Sequence, residues 1–433
     1  MNVARVVMRS VNLGGSQDQL QEGQLINRPE FLNRFHGHLY KAQDANRRVP
    51  LLTLAADGDD GSGSSRYTFL EWSRRTFTPA LQSGSTMLAI RTRFATLLAC
   101  LLVSPVAGSD WPQWRGPTRD GVWPQKGTLR KLDADLKPRW RVAIGGGYSG
   151  VAVAGGRVYT LDRQTRPKEV ERILCFEAAT GKLLWSHAYD VSYGKMEYGN
   201  GPRCTPTIHQ GKVYTFGARG HLFCLDAKTG KVLWSYETVK DFQARIPTWG
   251  HACSPFVYEH AGKNRLLVQV GAPGACMMAF DPDNGSVIWK SLDDPPGYAS
   301  PVLIADRNFR QIAYWTPENV VGLDAATGKV RWKVPFKITY GVSISDIIYH
   351  DGVLLASDYW YGSKALVLDE KGENPKIIWE GKRLRLLMST PLKEDGYIYA
   401  LDRTDGLKCL HLKTGEIKWE GQHITPRARN PQA

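Results

Sequence analysis

The sequence predicts an all-β fold, a β-propeller of four-stranded blades. Three observations support this: a segment that ends in Trp recurs along the chain, its copies lie 40 to 55 residues apart, and the 433 residues include 43 Gly, 24 Pro, 18 Tyr and 14 Trp. Repeats of this length are typical of propeller blades. Glycine permits the positive φ of tight turns, and aromatic side chains suit the surface of a pleated strand.

The repeat is a glycine turn followed by a strand that carries the Trp. It occurs in six segments: Phe176–Trp185, Leu225–Trp234, Phe280–Trp289, Leu323–Trp332, a degenerate copy at Leu368–Trp379, and His411–Trp419. In five of them the glycine that we expect to close a hairpin with positive φ lies four residues before the Trp: Gly181, Gly230, Gly285, Gly328 and Gly415. Each Trp is predicted to lie on an outermost strand and to pack against the next blade, because one blade cannot cover its own two faces.

The second copy illustrates the four strands of a blade. Alternating apolar residues predict strands at Thr205–His209, Lys212–Phe216, His221–Asp226 and Val232–Glu237, and short turns with Gly separate them. The six copies therefore predict six complete blades.

A seventh Trp precedes the repeats. Trp140 lies 45 residues before Trp185 and resembles an outermost strand with no inner strands before it, while only 14 residues follow Trp419. In propellers that close by overlapping the chain ends, such a strand completes the last blade. We therefore predict six blades plus an orphan outer strand, and favour a seven-bladed ring whose last blade is incomplete in this chain. Six closed blades with an added strand are the alternative.

The chain before the propeller differs in composition. Residues 1–86 have no strand or helix period and are expected to be a disordered or spurious extension. From Met87 the order of Arg91 and Arg93, a short apolar stretch and small residues predicts a signal peptide over 87–108, followed by a lead-in segment at 109–139 and the propeller at 140–433. The sequence thus predicts a periplasmic or secreted protein.

Neither a membrane helix nor a lipid anchor is expected in the mature protein. The apolar stretch is too short to span a bilayer, and it continues past Cys100, which argues against lipid attachment there.

Of the net charge of +14, +10 falls after residue 108, where lysines recur at one turn of most repeats. Charge spread around a rim in this way is not typical of nucleic-acid binding.

The remaining cysteines are expected to be free and buried. Cys175, Cys224 and Cys409 fall at one position of the third strand in different blades, and Cys204 and Cys253 at one position of the first strand. Equivalent positions in separate blades are generally too far apart for a disulfide, and Cys276 has no obvious partner. The chain also lacks the common hydrolase, zinc-protease and kinase motifs.

The repeat, carried best by Ala227–Trp234, resembles that of the pyrroloquinoline-quinone (PQQ)-like β-propeller family. The segment Asp110–Gly121 is similar to the lead-in of secreted members of that family. The resemblance implies one of three functions: a quinoprotein dehydrogenase, the propeller subunit of the outer-membrane protein assembly machine, or an extracellular sensor module of a kinase. It specifies the fold better than the function.

The leading hypothesis is a non-catalytic scaffold that binds a protein or peptide partner. The family's quinone enzymes carry a disulfide between adjacent cysteines beside the cofactor, and this chain has no Cys-Cys pair, so no cofactor is expected. A PQQ-dependent oxidoreductase, which would hold PQQ with Ca²⁺, is the first alternative, and the sensor module is the second.

A candidate binding site follows from propeller topology. The loops before the first strands and those joining second to third strands share one side of the disc, which we call the loop face. These loops carry the aromatic and Arg side chains that are typical of binding hot spots. The candidate binding residues are Tyr148, Arg203, Trp249, His251, Tyr298, Tyr340 and Trp360.

Overall fold

The computed structural model describes residues 110–124, 137–194, 196, 199–306, 308–404 and 406–421. Within these ranges, six four-stranded antiparallel sheets account for nearly all of the secondary structure. The predicted fold class is therefore confirmed. The expected signal peptide, the N-terminal extension and part of the lead-in segment lie outside the described residues, so these predictions stay predictions.

The first three sheets follow the chain order. Sheet 1 contains β1 (Ala152–Ala154), β2 (Arg157–Gln164), β3 (Val170–Glu177) and β4 (Leu183–Asp190). Sheet 2 contains β5 (Thr207–His209), β6 (Lys212–Phe216), β7 (His221–Asp226) and β8 (Val232–Glu237), close to the predicted bounds. A five-residue helix, α1 (Thr238–Phe242), then precedes sheet 3, which contains β9 (Phe256–His260), β10 (Lys263–Ala272), β11 (Ala275–Phe280) and β12 (Val287–Ser291).

The last three sheets repeat the same up-and-down order. Sheet 4 contains β13 (Val302–Ala305), β14 (Arg310–Trp315), β15 (Asn319–Asp324) and β16 (Val330–Pro335). A 3₁₀ turn at Thr339–Gly341 precedes sheet 5, which contains β17 (Ile348–His350), β18 (Val353–Asp358), β19 (Gly362–Val367) and β20 (Lys376–Gly381). Sheet 6 contains β21 (Leu392–Glu394), β22 (Tyr397–Asp402), β23 (Gly406–His411) and β24 (Ile417–Gly421). No helix in the described ranges is long and apolar enough to cross a membrane.

Hydrogen bonds link the segments just before the first strands from sheet to sheet. The Thr205 amide donates to Ser254 Oγ (2.8 Å), the Ser254 amide to Ser300 Oγ (3.4 Å) and the Ser300 amide to Asp346 Oδ1 (2.6 Å). The Asp346 amide continues the series to Thr390 Oγ1 at 3.2 Å. The first strands also contact one another between sheets 1 and 2, 2 and 3, and 4 and 5, so these bonds follow the inner edges of successive sheets.

The Trp of a repeat packs on the glycine turn of the next sheet. A Cβ built on the glycine would lie within 2.4 to 2.8 Å of the indole in five pairs: Trp140–Gly181, Trp185–Gly230, Trp234–Gly285, Trp289–Gly328 and Trp379–Gly415. All five glycines have positive φ, as predicted. Only glycine tolerates both the backbone conformation and the closeness of the ring.

Two Trp residues depart from this pattern. Trp332 in sheet 4 faces the β19–β20 turn of sheet 5, which belongs to the degenerate copy of the repeat. There Trp332 Nε1 donates to Gln311 Oε1 (2.8 Å), and Gln311 Nε2 donates to the Gly372 carbonyl of that turn. Trp419 on β24 is 37% exposed and does not lie against any described glycine. The predicted outer strand at Trp140 is wrong, because residues 137–145 form no strand. The Trp140 indole nevertheless lies over Gly181, as the other Trp residues lie over the glycine turns of the next sheets.

The six described cysteines are buried and free, as predicted. Cys175, Cys224 and Cys409 each lie opposite the Trp of their own sheet in the strand register. A small residue is needed there because the indole folds over it, and Gly322 occupies the same place opposite Trp332. These positions therefore serve packing.

Candidate binding face and central channel

The first group of candidate residues lies on the loops that precede sheets 1 to 4, on the loop face. Tyr148 is 48% exposed, and the Arg203 guanidinium lies 5.2 Å from its ring centroid. Arg203 also interacts electrostatically with Tyr298, whose hydroxyl accepts a hydrogen bond from the Trp249 amide at 3.3 Å. The structure thus brings Tyr148, Arg203, Trp249 and Tyr298 together.

Arg203 organises its own loop. Its Nη1 and Nη2 donate to the carbonyls of Gly201 (2.5 Å) and Gly199 (2.8 Å). Burial lowers its pKa, whereas Tyr193 and other nearby groups oppose this shift. The guanidinium therefore holds the loop and presents its remaining face beside Tyr148.

A buried carboxylate lies close to this group, and sequence reasoning did not find it. Glu171 on β3 is fully buried and accepts hydrogen bonds from the Tyr189 and Tyr193 hydroxyls. Burial raises the pKa of Glu171, and the two phenols oppose that rise by hydrogen-bonding its charged form. No sequence signal singled it out, because it is one acidic residue within an ordinary strand.

The second group lies on the loops of sheets 5 and 6. Tyr340, in the 3₁₀ turn, is 75% exposed, and its ring centroid lies 5.8 Å from that of Trp360. Trp360 also contacts Tyr359 at 4.9 Å, and the Arg403 guanidinium lies 3.9 Å from the Tyr359 ring. Tyr340 has a φ of +58°, a conformation that costs a non-glycine residue energy.

His251 lies apart from both groups, and like Tyr298 it is buried. It is fully buried, its ring centroid lies 4.5 Å from that of Phe216, and neither ring nitrogen has a partner among the described residues. Burial lowers the pKa of His251 to about 3, so the ring is neutral at physiological pH. A side chain in this position supports the loop and cannot contact a partner from solution.

The lead-in segment occupies the central channel. Trp111 pairs with Val153 of β1, and the carbonyl of Pro112 accepts from the Ile208 amide of β5 at 2.8 Å. Further along, Trp114 Nε1 donates to Asp346 Oδ2 (2.6 Å) and Arg115 Nη2 to the Pro391 carbonyl (2.8 Å). Residues 110–121 thus tie together first strands, or the residues just before them, from several sheets.

A quinone–calcium site in the channel would need a set of oxygen ligands for the metal ion. Within the described ranges, no group of three or more His, Cys, Asp or Glu side chains is placed to hold a metal ion. Ca²⁺ requires six to eight oxygen ligands.

Comparison with known proteins gives one family and several related folds. A family model described as outer membrane protein assembly factor BamB matches residues 125–290 and 169–421. No curated protein sequence matches. BamB from Moraxella catarrhalis has a similar structure (TM-score 0.43, 14% identity, covering 64% of this chain and 74% of that chain).

Two quinoproteins are similar to the same degree. A europium-containing methanol dehydrogenase gives a TM-score of 0.44 at 16% identity, covering 63% of this chain and 68% of that chain. The quinohemoprotein alcohol dehydrogenase from Comamonas testosteroni gives 0.39 at 12% identity, covering 74% of both chains. The family match confirms the resemblance of the repeat to PQQ-like propellers. Because the matched ranges together span 125–421, more than half of the sequence, the chain belongs to the family described as outer membrane protein assembly factor BamB.

Proposed function

We propose that this protein is a non-catalytic scaffold that binds a protein or peptide partner through its loop face. The observation that carries the proposal is the exposure there of two aromatic groups with arginines, Tyr148 with Arg203 and Tyr340 with Trp360. Tyr, Trp and Arg dominate the energetics of protein interfaces.

The backbone of Tyr340 adds to this argument. The left-handed backbone conformation costs a non-glycine residue on the order of 1 kcal/mol. Tyr340 adopts this conformation although its side chain is mostly exposed to solvent. Apart from the contact with the Trp360 ring, the Tyr340 side chain gains little burial in this chain. This exposure is consistent with a side chain that is held ready for a partner.

We further propose a periplasmic or secreted location. The expected signal peptide at 87–108 supports it, as does membership of a family named for outer-membrane protein assembly. The partner would then be another protein of the cell envelope.

The proposal is tested by recovery of partners from a cell-envelope extract. The Arg203→Ala/Trp360→Ala protein should recover the partner at least tenfold less well than wild type. Lys182→Ala/Leu184→Ala is the matched control, because both residues are exposed at the β3–β4 turn on the opposite side of the disc. Equal recovery by all three folded proteins would contradict the proposed face.

The dehydrogenase alternative has its own test. Purified protein is incubated with PQQ and Ca²⁺, passed through a gel-filtration column and assayed for dye reduction with alcohols or sugars. The scaffold proposal expects no retained quinone absorbance and no activity. Retained absorbance together with dye reduction would replace the scaffold by an oxidoreductase.

A further inference from the structure

The boundary between sheets 1 and 2 shows how one sheet binds the next. The Tyr159 hydroxyl and Trp185 Nε1 both donate to the backbone carbonyl of Ala227, at 3.2 and 3.1 Å. Ala227 lies three residues before Gly230, and the Trp185 indole packs over that glycine. A tyrosine and a tryptophan of one sheet thus hold a single carbonyl and a glycine turn of the next.

The same carbonyl is the acceptor at four further glycine turns. It belongs each time to the third residue before the turn glycine, and the donor is a Trp indole, a Tyr hydroxyl or both. The bonds run from Tyr214 and Trp234 to Pro282 (3.0 and 3.2 Å), from Tyr258 to Ala325 (2.8 Å), from Trp379 to Leu412 (2.7 Å) and from Trp140 to Ala178 (3.0 Å). The chain therefore uses one way of binding a glycine turn repeatedly.

Sheet 6 carries the same two donors, Tyr399 and Trp419, which we call the sheet 6 donor pair. In the strand register Cys409 of β23 lies between them, opposite Tyr399 of β22 and Trp419 of β24. Their ring centroids are 6.2 Å apart at an interplanar angle of 46°, close to the 6.0 Å and 54° of Tyr159 and Trp185. Sheet 6 by itself therefore holds the two rings in the arrangement that binds a turn.

The sheet 6 donor pair has no glycine turn to bind within the described part of the chain. Neither the Tyr399 hydroxyl nor Trp419 Nε1 donates to a backbone carbonyl there, and Trp419 is 37% exposed where Trp185 is 9% exposed. If sheet 6 closed directly onto sheet 1, Trp419 would lie over Gly181. Trp140 already occupies that place and donates to the carbonyl in the same turn.

We infer that the sheet 6 donor pair binds a β-hairpin of a partner protein, whose turn carries a glycine with positive φ. The Tyr399 hydroxyl and Trp419 Nε1 donate to the carbonyl three residues before that glycine, and the indole packs over the glycine itself. The five occupied turns specify this chemistry. The site is separate from the loop-face groups and does not depend on the proposed scaffold function.

A second copy of this chain does not fit as the occupant. A Trp indole of the same chain already covers each glycine turn that could be offered: Gly181, Gly230, Gly285, Gly328 and Gly415. A hairpin from another protein meets no such competition. Binding is also favoured because strand pairing already orders both rings, so little side-chain freedom is lost on association.

A hairpin peptide copied from this chain provides the probe. It has the sequence of residues 319–335, which form β15, the turn with Gly328 and β16, and a disulfide between cysteines added at its two ends closes it. Fluorescence anisotropy of the labelled peptide measures binding to the full chain. Because the chain's own glycine turns are covered, the sheet 6 donor pair is where we expect the peptide to bind.

The Gly328→Ala peptide is the matched control for the probe. It should bind about tenfold or more weakly, because a Cβ at Gly328 would lie within 2.4 Å of an indole in the observed packing and the turn requires positive φ. Equal binding of the two peptides would overturn the inference. So would the absence of binding by the unchanged peptide at about 1 mM, a concentration that detects weak complexes.

Variants of the protein assign the binding to the donor pair. Trp419→Ala should weaken peptide binding about tenfold or more, and Tyr399→Phe, which removes one hydrogen bond, about fivefold. Leu233→Ala is the control, because it removes an exposed apolar side chain from β8 in sheet 2, and it should bind as wild type does. Unchanged binding by Trp419→Ala contradicts the assignment. If that variant does not fold, Tyr399→Phe decides the question.

Sedimentation velocity tests the choice of occupant. Wild type and Trp419→Ala should sediment alike, because a second copy has no uncovered glycine turn to offer. Self-association of the wild type that is lost in Trp419→Ala would assign the donor pair to a second copy and overturn the inference.

Discussion

The indole of Trp234 in sheet 2 lies over Gly285 in sheet 3, and a Cβ on Gly285 would come within 2.8 Å of the ring. Trp234 Nε1 also donates to the carbonyl of Pro282 in the same turn, at 3.2 Å. The Trp234 side chain therefore provides both packing and a hydrogen bond across a blade boundary.

Trp234→Ala should destabilise the protein by about 3–5 kcal/mol, because it leaves a cavity at this boundary. Urea denaturation followed by circular dichroism measures the loss. Trp419→Ala is the matched control: it removes the same side chain from a site that is 37% exposed, and the loss should be clearly smaller. Equal losses would contradict the role of the glycine turn.

Asp346→Ala should cost about 3 kcal/mol in the free energy of unfolding, since it leaves Trp114 Nε1 and the Ser300 amide without their acceptor. Chemical denaturation provides the measurement. Asp283→Ala, which removes an exposed carboxylate paired with Lys212 at 2.7 Å, should cost at most about 1 kcal/mol. A similar small effect for Asp346→Ala would mean that the bonds around the channel contribute little.

His251 should make the protein less stable in mild acid. Its folded pKa of about 3 lies below the unfolded value near 6.5, so the unfolded state binds more protons between these values and stability falls as pH falls through this window. From pH 7 to pH 5 the residue should account for about 2 kcal/mol of lost stability.

His251→Phe tests this effect by removing the titration while keeping an aromatic ring against Phe216. The variant should lose about 2 kcal/mol less than wild type between pH 7 and pH 5 in urea denaturation. Ile398→Val serves as the control, because Ile398 is a buried aliphatic residue of sheet 6 that does not pack with His251, so its loss should lower stability by the same amount at both pH values. Parallel pH profiles for wild type and His251→Phe would show that His251 is accessible to protons in the folded state.

The buried thiols should be unreactive in the native protein. Burial raises the pKa of Cys204 and of Cys253 to about 12, and the thiolate is the species that reacts with alkylating agents. In a Cys100→Ser background at pH 8, iodoacetamide should modify none of the six described cysteines before urea is added and all six afterwards, as measured by mass spectrometry. Rapid modification of Cys253 in native protein would show that the channel opens.

The repeat made the blades predictable from sequence. Gly230 and Trp234 recur at a fixed spacing because a hairpin needs positive φ at one residue and a blade needs a large side chain against its neighbour. The strand bounds of sheet 2 followed from alternation alone, since a side-chain period of 2 is a local property. Trp140 was predicted to lie on an outermost strand, but its segment forms no strand, and its contact with Gly181 emerged only from the structure.

The candidate site was predictable only in part. The pairs Tyr148–Arg203 and Tyr340–Trp360 lie together as the topology required, because loops on one side of a propeller face the same solvent. His251 was indistinguishable from them in sequence, since burial depends on how neighbouring loops pack and not on the residue itself.

The sequence by itself determined the all-β repeat, the glycine turns and the side of the disc on which the distinctive residues lie. Only the tertiary structure decided that the Trp114 indole donates to Asp346, 232 residues later in the sequence. Local patterns encode the strands and turns of each blade, whereas a hydrogen bond between the lead-in segment and a distant blade depends on how the whole chain folds.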